Sequence, residues 1–166
     1  TIRLVSTQLP LFSEWEFLIA GYGDELYIDS LKALVVQLNL TSMISFVGTK
    51  LGTEKLTIYD NSDAFILPTF SENYGIVVAE ALARGVPVLT TKGTPWVELN
   101  ELHCGLWVDN SNEGLKHGML KILEHSSSAL REMGQNGRTL VENKYLWDKT
   151  TGRTIELYRW ILHGGC

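Results

Sequence analysis

Short apolar runs alternate along this chain with longer stretches whose apolar residues recur every three or four positions. The short runs are Trp15–Ala20 (WEFLIA), Ile44–Val47, Ala64–Leu67 (AFIL), Val86–Thr90 and Gly105–Val108. Glycine turns or Pro68 close the first three of them, as expected of buried strands. Between and after them, Leu26–Leu38 sets Leu31, Leu34, Val35 and Leu38 on one helical face. Glu54–Asn61, Ile76–Arg84, Glu113–Glu124, Ala129–Lys144 and Lys149–Leu162 also read as helices, with Gly85 suited to a left-handed helix end. Strands that are apolar throughout and separated by helices predict a parallel sheet covered on both faces. Such doubly wound α/β sheets bind ligands at the carboxyl ends of their strands. The loops Gly21–Asp24, Gly48–Leu51, Pro68–Gly75 and Thr91–Pro95 therefore belong on one edge.

Composition narrows the picture further. The 166 residues suit one domain, and no linker, repeat or low-complexity tract divides residues 1–166. Apolar residues make up 45% and charged residues 20%, which excludes an intrinsically disordered chain. A net charge of −5 and the lack of a basic block argue against nucleic acid as a partner. No apolar run reaches the ~20 residues that cross a bilayer, and the start, TIRLVSTQLP, lacks the pattern of a signal peptide. Cys104 and Cys166 form no CxxC pair, which favours a reducing compartment. The four histidines do not cluster with them at metal-ligand spacing, and no Asp-x-Asp occurs. His103-Cys104 reads as a turn beside a buried thiol. The chain opens at Thr1 in a stretch that reads as helical, and its Gly-Gly-Cys end reads as a frayed tail.

The chemistry concentrates in PTFSENYGIVVAEALARGVPVLTT, Pro68–Thr91. A strand ends at Leu67, a polar loop carries Ser71, Glu72 and Asn73, and Gly75 opens a helix. Free N–H groups at that helix start could hold a phosphate or diphosphate. Glu72 precedes the helix and Glu80 lies about one turn inside it. Carboxylates accept hydrogen bonds from hydroxyls, so the pair suits sugar or ribose recognition. The same spacing also fits Glu72 at the positive end of a helix and Glu80 on a solvated face.

The segment resembles the E-x7-E donor motif of the family 4 (group 1) retaining glycosyltransferases. Glu72 and Glu80 stand with seven residues between them, and DAFILP, SENYG, EALARGVPVLTT and GTPWVEL follow the family order. FLIAGYGDE and ISFVG resemble its second and third strands, and GLWVDN its last. The resemblance covers nearly the whole chain. It implies the Rossmann-like C-terminal domain of a GT-B enzyme, with sheet order 3-2-1-4-5-6 and without its first strand. That strand would lie upstream of Thr1, and its absence leaves Trp15–Ala20 and Ala64–Leu67 each with an unpaired side.

By the family pattern, Glu80 would bind ribose hydroxyls and Glu72 the donor sugar's hydroxyls beside its anomeric carbon. The backbone of Asn73, Tyr74, Gly75 and Ile76 would hold sugar hydroxyls and the diphosphate. Gly23 and Thr49 would line the nucleotide end. The implied reaction transfers a hexosyl unit from a UDP- or GDP-linked sugar, with retention and with no metal or other cofactor. The acceptor, a saccharide or lipid-linked precursor of polysaccharide or lipopolysaccharide, would bind the missing N-terminal domain. The implied location is cytoplasmic, with peripheral association at the inner membrane face made through that domain, and this chain alone would be inactive. The family's Arg and Lys that clamp the diphosphate follow the first strand and cannot be assigned here. Neither Lys50 nor Lys92 takes that role.

Two rival readings are a nucleotide-sugar epimerase on the same scaffold and a non-catalytic nucleotide-sugar binding module. The E-x7-E pair favours the transferase over the first. For the second, an acceptor domain and basic loop in the full reading frame would support transfer, and their absence a binding module. Gly21-Tyr22-Gly23 lacks the third glycine of a dinucleotide fingerprint. Trp96, Trp107, Trp147 and Trp160 read as packing residues, although the loop of Trp96 lies at the expected ligand edge. Glu98 resembles a family glutamate just beyond that loop, and helix-end charge is its plainer role.

Overall fold

Five parallel strands in two sheets, with helices between them, make up the computed structural model, which describes residues 15–163. The expectations for the helical start and the Gly-Gly-Cys tail fall outside those residues. The first unit runs β1 (Phe17–Ala20), α1 (Glu25–Gln37), β2 (Ile44–Gly48) and α2 (Gly52–Asp60). It continues with β3 (Phe65–Leu67), α3 (Ile76–Ala83), β4 (Val88–Thr91), α4 (Glu98–Glu101) and β5 (Gly105–Val108). Three helices close the chain, α5 (Asn112–Glu124), α6 (Ser127–Lys144) and α7 (Trp147–Leu162).

β1 pairs with β2, and β3, β4 and β5 form a second sheet in that order. Winding thus proceeds outward from β1 in one sheet and outward from β3 in the other, as in a doubly wound fold. Among the described residues no strand pairs β1 with β3, so each has one unpaired side, where the resemblance puts the family's first strand. Leu18 and Ile19 of β1 remain 44% and 39% exposed, whereas every residue of β4 is buried.

Cores on both faces of β4 account for the burial of all four of its residues. Val88 joins Val78, Ala81, Leu82, Trp96, Leu99, Cys104 and Leu140 in one core. Leu89, its neighbour, points the other way into Met119, Ile122, Leu123 and Leu130. Trp15, Phe17 and Met43 pack against that second core, so the two sheets share it. Burying Leu82 completely stabilises the fold by about 1.5–3 kcal/mol.

Helix ends follow local chemistry. Asp24, Ser111 and Ser126 cap α1, α5 and α6 by accepting from Tyr27, Gly114 and Ala129 N–H groups. α3 stops in a Schellman turn: Gly85, at φ +74°, donates to Leu82 O, and Val86 donates to Ala81 O. That turn takes the amide of Val86, and Pro87 has none to give, so β4 starts at Val88 rather than at Val86. The four-residue α4 is too short to leave a periodic pattern in the sequence.

Candidate functional site

The loop from Pro68 to Gly75 leaves the carboxyl end of β3 and is strapped to the loop that leaves β4. Thr90 Oγ1 donates to Leu67 O at 2.9 Å, and Thr91 Oγ1 donates to Thr69 O. Glu72 N–H donates to Gly93 O at 2.9 Å, and Trp96 Nε1 donates to Tyr74 O at 2.6 Å. Asn110 adds a bond to Phe70 O at 3.3 Å. A side chain at Gly93 is excluded, because its Cβ would stand 2.5 Å from Phe70 O. These contacts fix the loop backbone through buried threonines and a buried tryptophan, so loop order does not depend on the exposed side chains it presents.

Glu72 and Asn73 are among those exposed side chains, and Glu72 makes no side-chain hydrogen bond or ion pair with another described residue. Gly75 follows at φ +70°, a left-handed conformation that costs other residues about 1–2 kcal/mol. It opens α3 without a side-chain cap, leaving the first amides of Ile76 and Val77 directed toward the loop. A helix start of this kind favours an anion through its unpaired N–H groups and its dipole.

Glu80 sits half-buried on α3, and its carboxylate meets Lys55 Nζ at 2.7 and 2.9 Å. Tyr59 OH lies 3.5 Å from the same carboxylate. Burial, reinforced by the charge of Glu80, pushes the Tyr59 hydroxyl up to about 12. Lys55 was not legible as a site residue, because its partner lies 25 positions away on another helix. Gly23 and Thr49 are exposed on neighbouring loops, joined at their bases by Gly21 N–H to Gly48 O at 3.0 Å. Lys50 pairs with Glu54 at 3.6 Å, and Lys92 pairs with Asp109 at 2.6 Å beside the Trp107 ring.

Behind the loop stands an aromatic cluster that ties it to the end of α6. Tyr74, Trp96 and Tyr145 have ring centroids 5.0 to 5.9 Å apart. Trp96 is 1% exposed, so this ring is core and a scaffold for Tyr74 rather than a stacking surface. Glu98 accepts from Lys144 Nζ and, at 3.0 Å, from Tyr145 OH. Its role is therefore a link between α4 and α6, beyond helix-end charge. Cys104 is fully buried, after His103 at φ +51°, and burial pushes its thiol up to about 11.

Burial alone would raise the Glu98 carboxyl, but hydrogen bonds from Lys144, its own backbone and Tyr145 outweigh it and hold it low. A lowered folded pKa contributes stability above the ordinary glutamate range, lost as pH falls through that range to the folded value. The stability advantage of the parent over Glu98→Gln should therefore shrink between pH 7 and pH ~3.5. Urea unfolding of both proteins at the two pH values reads this, and an unchanged difference would count against the linkage.

The comparisons with known proteins agree with this layout. An uncharacterized glycosyltransferase of Methanocaldococcus jannaschii is 30% identical over 148 residues, which are 87% of this chain and 37% of that protein. The D-inositol 3-phosphate glycosyltransferase of Corynebacterium efficiens is 28% identical over 132 residues, 78% of this chain and 31% of its own. The chain thus spans about a third of the length of these curated relatives. Sucrose-phosphate synthase from Thermosynechococcus elongatus superposes with a TM-score of 0.76 at 24% identity, over 98% of this chain and 42% of its own. Anabaena HepE, solved in complex with UDP and glucose, gives 0.75 at 15% identity, over 95% of this chain and 44% of its own. The Rossmann-like GT-B fold is shared with both. A family model described as "Glycosyl transferases group 1" matches residues 2–140, and the chain belongs to that family.

Proposed function

We propose that this chain is the donor-binding domain of a retaining glycosyltransferase that moves a hexosyl unit from a nucleotide sugar to a saccharide or lipid-linked acceptor. The observation that carries the reading is the strapped loop Thr69–Gly75, which presents an exposed Glu72 beside an uncapped helix start. In this reading Glu80 accepts from the ribose hydroxyls and Glu72 from the hydroxyls of the donor sugar. The amides from Asn73 to Ile76 hold the diphosphate, while Gly23 and Thr49 line the nucleotide. The UDP and glucose bound by HepE support a nucleotide-sugar ligand for a site of this fold. Neither metal nor other cofactor enters the scheme.

With retention, the acceptor oxygen bonds to the anomeric carbon on the face from which the diphosphate leaves. The acceptor proton passes to the departing phosphate oxygen, so no protein nucleophile is needed. The protein contributes positioning and stabilisation of the developing phosphate charge. The acceptor would bind a domain outside this chain, and any contact with a membrane would be made there. Among the described residues no helix is long and apolar enough to cross a membrane.

Binding measurements on the full-length protein test the assignment. Glu80→Ala should weaken UDP or GDP by about 1.5–3 kcal/mol, the usual loss for hydrogen bonds to a charged group. Glu72→Ala should spare the free nucleotide and weaken the intact sugar nucleotide. If both variants bind nucleotide and sugar nucleotide as the parent does, the site is misassigned.

A further inference from the structure

Lys55 occupies a position that the donor reading leaves unexplained. Its Nζ stands astride the Glu80 carboxylate, 2.7 Å from one oxygen and 2.9 Å from the other. Both side chains are about one-third exposed, at 32% and 30%. The contact spans two helices, α2 and α3, which are also joined one turn further on. There Arg84 Nε donates to Asp60 Oδ1 at 2.6 Å, and Tyr59 OH reaches Val77 O at 3.4 Å. Holding α2 against α3 thus does not depend on Lys55 alone, and its contact falls on the carboxylate assigned to the ribose.

We infer that Lys55 is a positioning residue for ribose recognition, an inference that rests on the donor reading of Glu80. A carboxylate offers about four lone-pair directions, two on each oxygen. One ammonium bridging both oxygens takes one direction on each. One stays open on each when Tyr59 OH, 3.5 Å from Oε2, gives its single proton to Val77 O at 3.4 Å. Two adjacent ribose hydroxyls, one donating to each oxygen, match what remains. Lys55 also fixes the carboxylate plane, so Glu80 meets the diol with little rotamer freedom left to lose. Immobilising a free side chain on binding would otherwise cost about threefold to tenfold in affinity. Lys55 touches neither the reacting carbon nor the diphosphate in this scheme and acts through Glu80.

The test compares Lys55→Met, Lys55→Arg and Glu80→Ala in the full-length protein. Calorimetry would use UDP, 2′-deoxy-UDP and uridine, with the GDP and ADP series in parallel. Lys55→Met should weaken UDP and uridine by the same factor, about threefold to tenfold, and should compress the preference for UDP over 2′-deoxy-UDP. Lys55→Arg should restore much of both, and Lys55→Met should cost nothing further in a Glu80→Ala background. The thermal midpoint without nucleotide separates a folding defect from a binding one, and Lys55→Gln replaces any Lys55→Met protein that fails to fold.

Unchanged affinity and 2′-hydroxyl preference in Lys55→Met would overturn the inference while leaving the donor site intact. Weakened UDP with unchanged uridine would overturn it as well, because Lys55 would then act on phosphate directly. A Glu80→Ala protein that binds UDP, GDP and ADP like the parent, or a parent that binds none of them, removes the ribose reading and this inference with it.

Discussion

Trp96→Ala is expected to destabilise the folded chain by about 3–5 kcal/mol, the usual range for removing a large buried aromatic ring. Trp96 is the largest of the fully buried side chains among the described residues, at 1% exposure. The rings of Tyr74 and Tyr145 lie against it, with centroids 5.4 and 5.0 Å away. A cavity there would remain partly open, because the Tyr145 ring is tied to Glu98 by a bond the substitution leaves in place.

The indole N–H gives the substitution a second consequence. It donates to Tyr74 O at 2.6 Å, and the Cβ that Gly75 lacks would lie 3.6 Å from that nitrogen. Trp96→Phe keeps most of the apolar volume and removes the donor. It should cost about 1–2 kcal/mol and loosen the backbone between Glu72 and Gly75. Urea midpoints report the first effect, and hydrogen exchange of the amides from Asn73 to Val77 reports the second. A loss below about 1 kcal/mol for Trp96→Ala would mean that the cluster collapses around the gap.

This cluster marks where sequence reading of the chain stops. Strands β1 to β5 were legible because each is an apolar run with a glycine, proline or polar stop. Glu72, Gly75 and Glu80 were legible because a loop and one helix hold them at fixed spacing within nine consecutive positions. Trp96 could be placed at the correct edge, but its neighbours Tyr74 and Tyr145 are 22 and 49 positions away. Burial and the bond to Tyr74 O follow from tertiary packing that no local window contains. Lys55 was invisible for the same reason, since helical spacing alone gives a lysine on α2 no partner on α3. The start of β4 was misjudged by two residues because valine favours strands, while Val86 donates its amide to the Schellman turn. The short α4 left no periodic signal at all.

The second large effect lies where α6 crosses the end of α3. A Cβ on Gly134 would stand 1.8 Å from Gly85 O and 2.7 Å from the carbonyl carbon. That carbonyl cannot turn aside cheaply, because Gly85 is held at φ +74° by the bonds to Leu82 O and Ala81 O on either side. Relief must therefore come from moving α6, which would pull Leu140 and Val141 from the core. Overpacking of this kind costs about 1–3 kcal/mol or more, offset by the roughly 1 kcal/mol that alanine gains over glycine within a helix.

A contact of 1.8 Å with backbone puts the cost at the upper end of that range. Gly134→Ala should therefore lower stability by about 2 kcal/mol net, enough to separate it from two internal comparisons. At Gly137 the new Cβ would meet the end of the Leu82 side chain, 2.6 Å away, which can rotate, so the loss should be smaller. At Gly152 on α7 nothing lies within 4 Å, and alanine should stabilise by about 0.5–1 kcal/mol. Thermal or urea midpoints of the three alanine variants should rank Gly152 above the parent, then Gly137, then Gly134. A Gly134→Ala protein as stable as the parent would mean that α6 is not seated against Gly85 as closely as this packing requires.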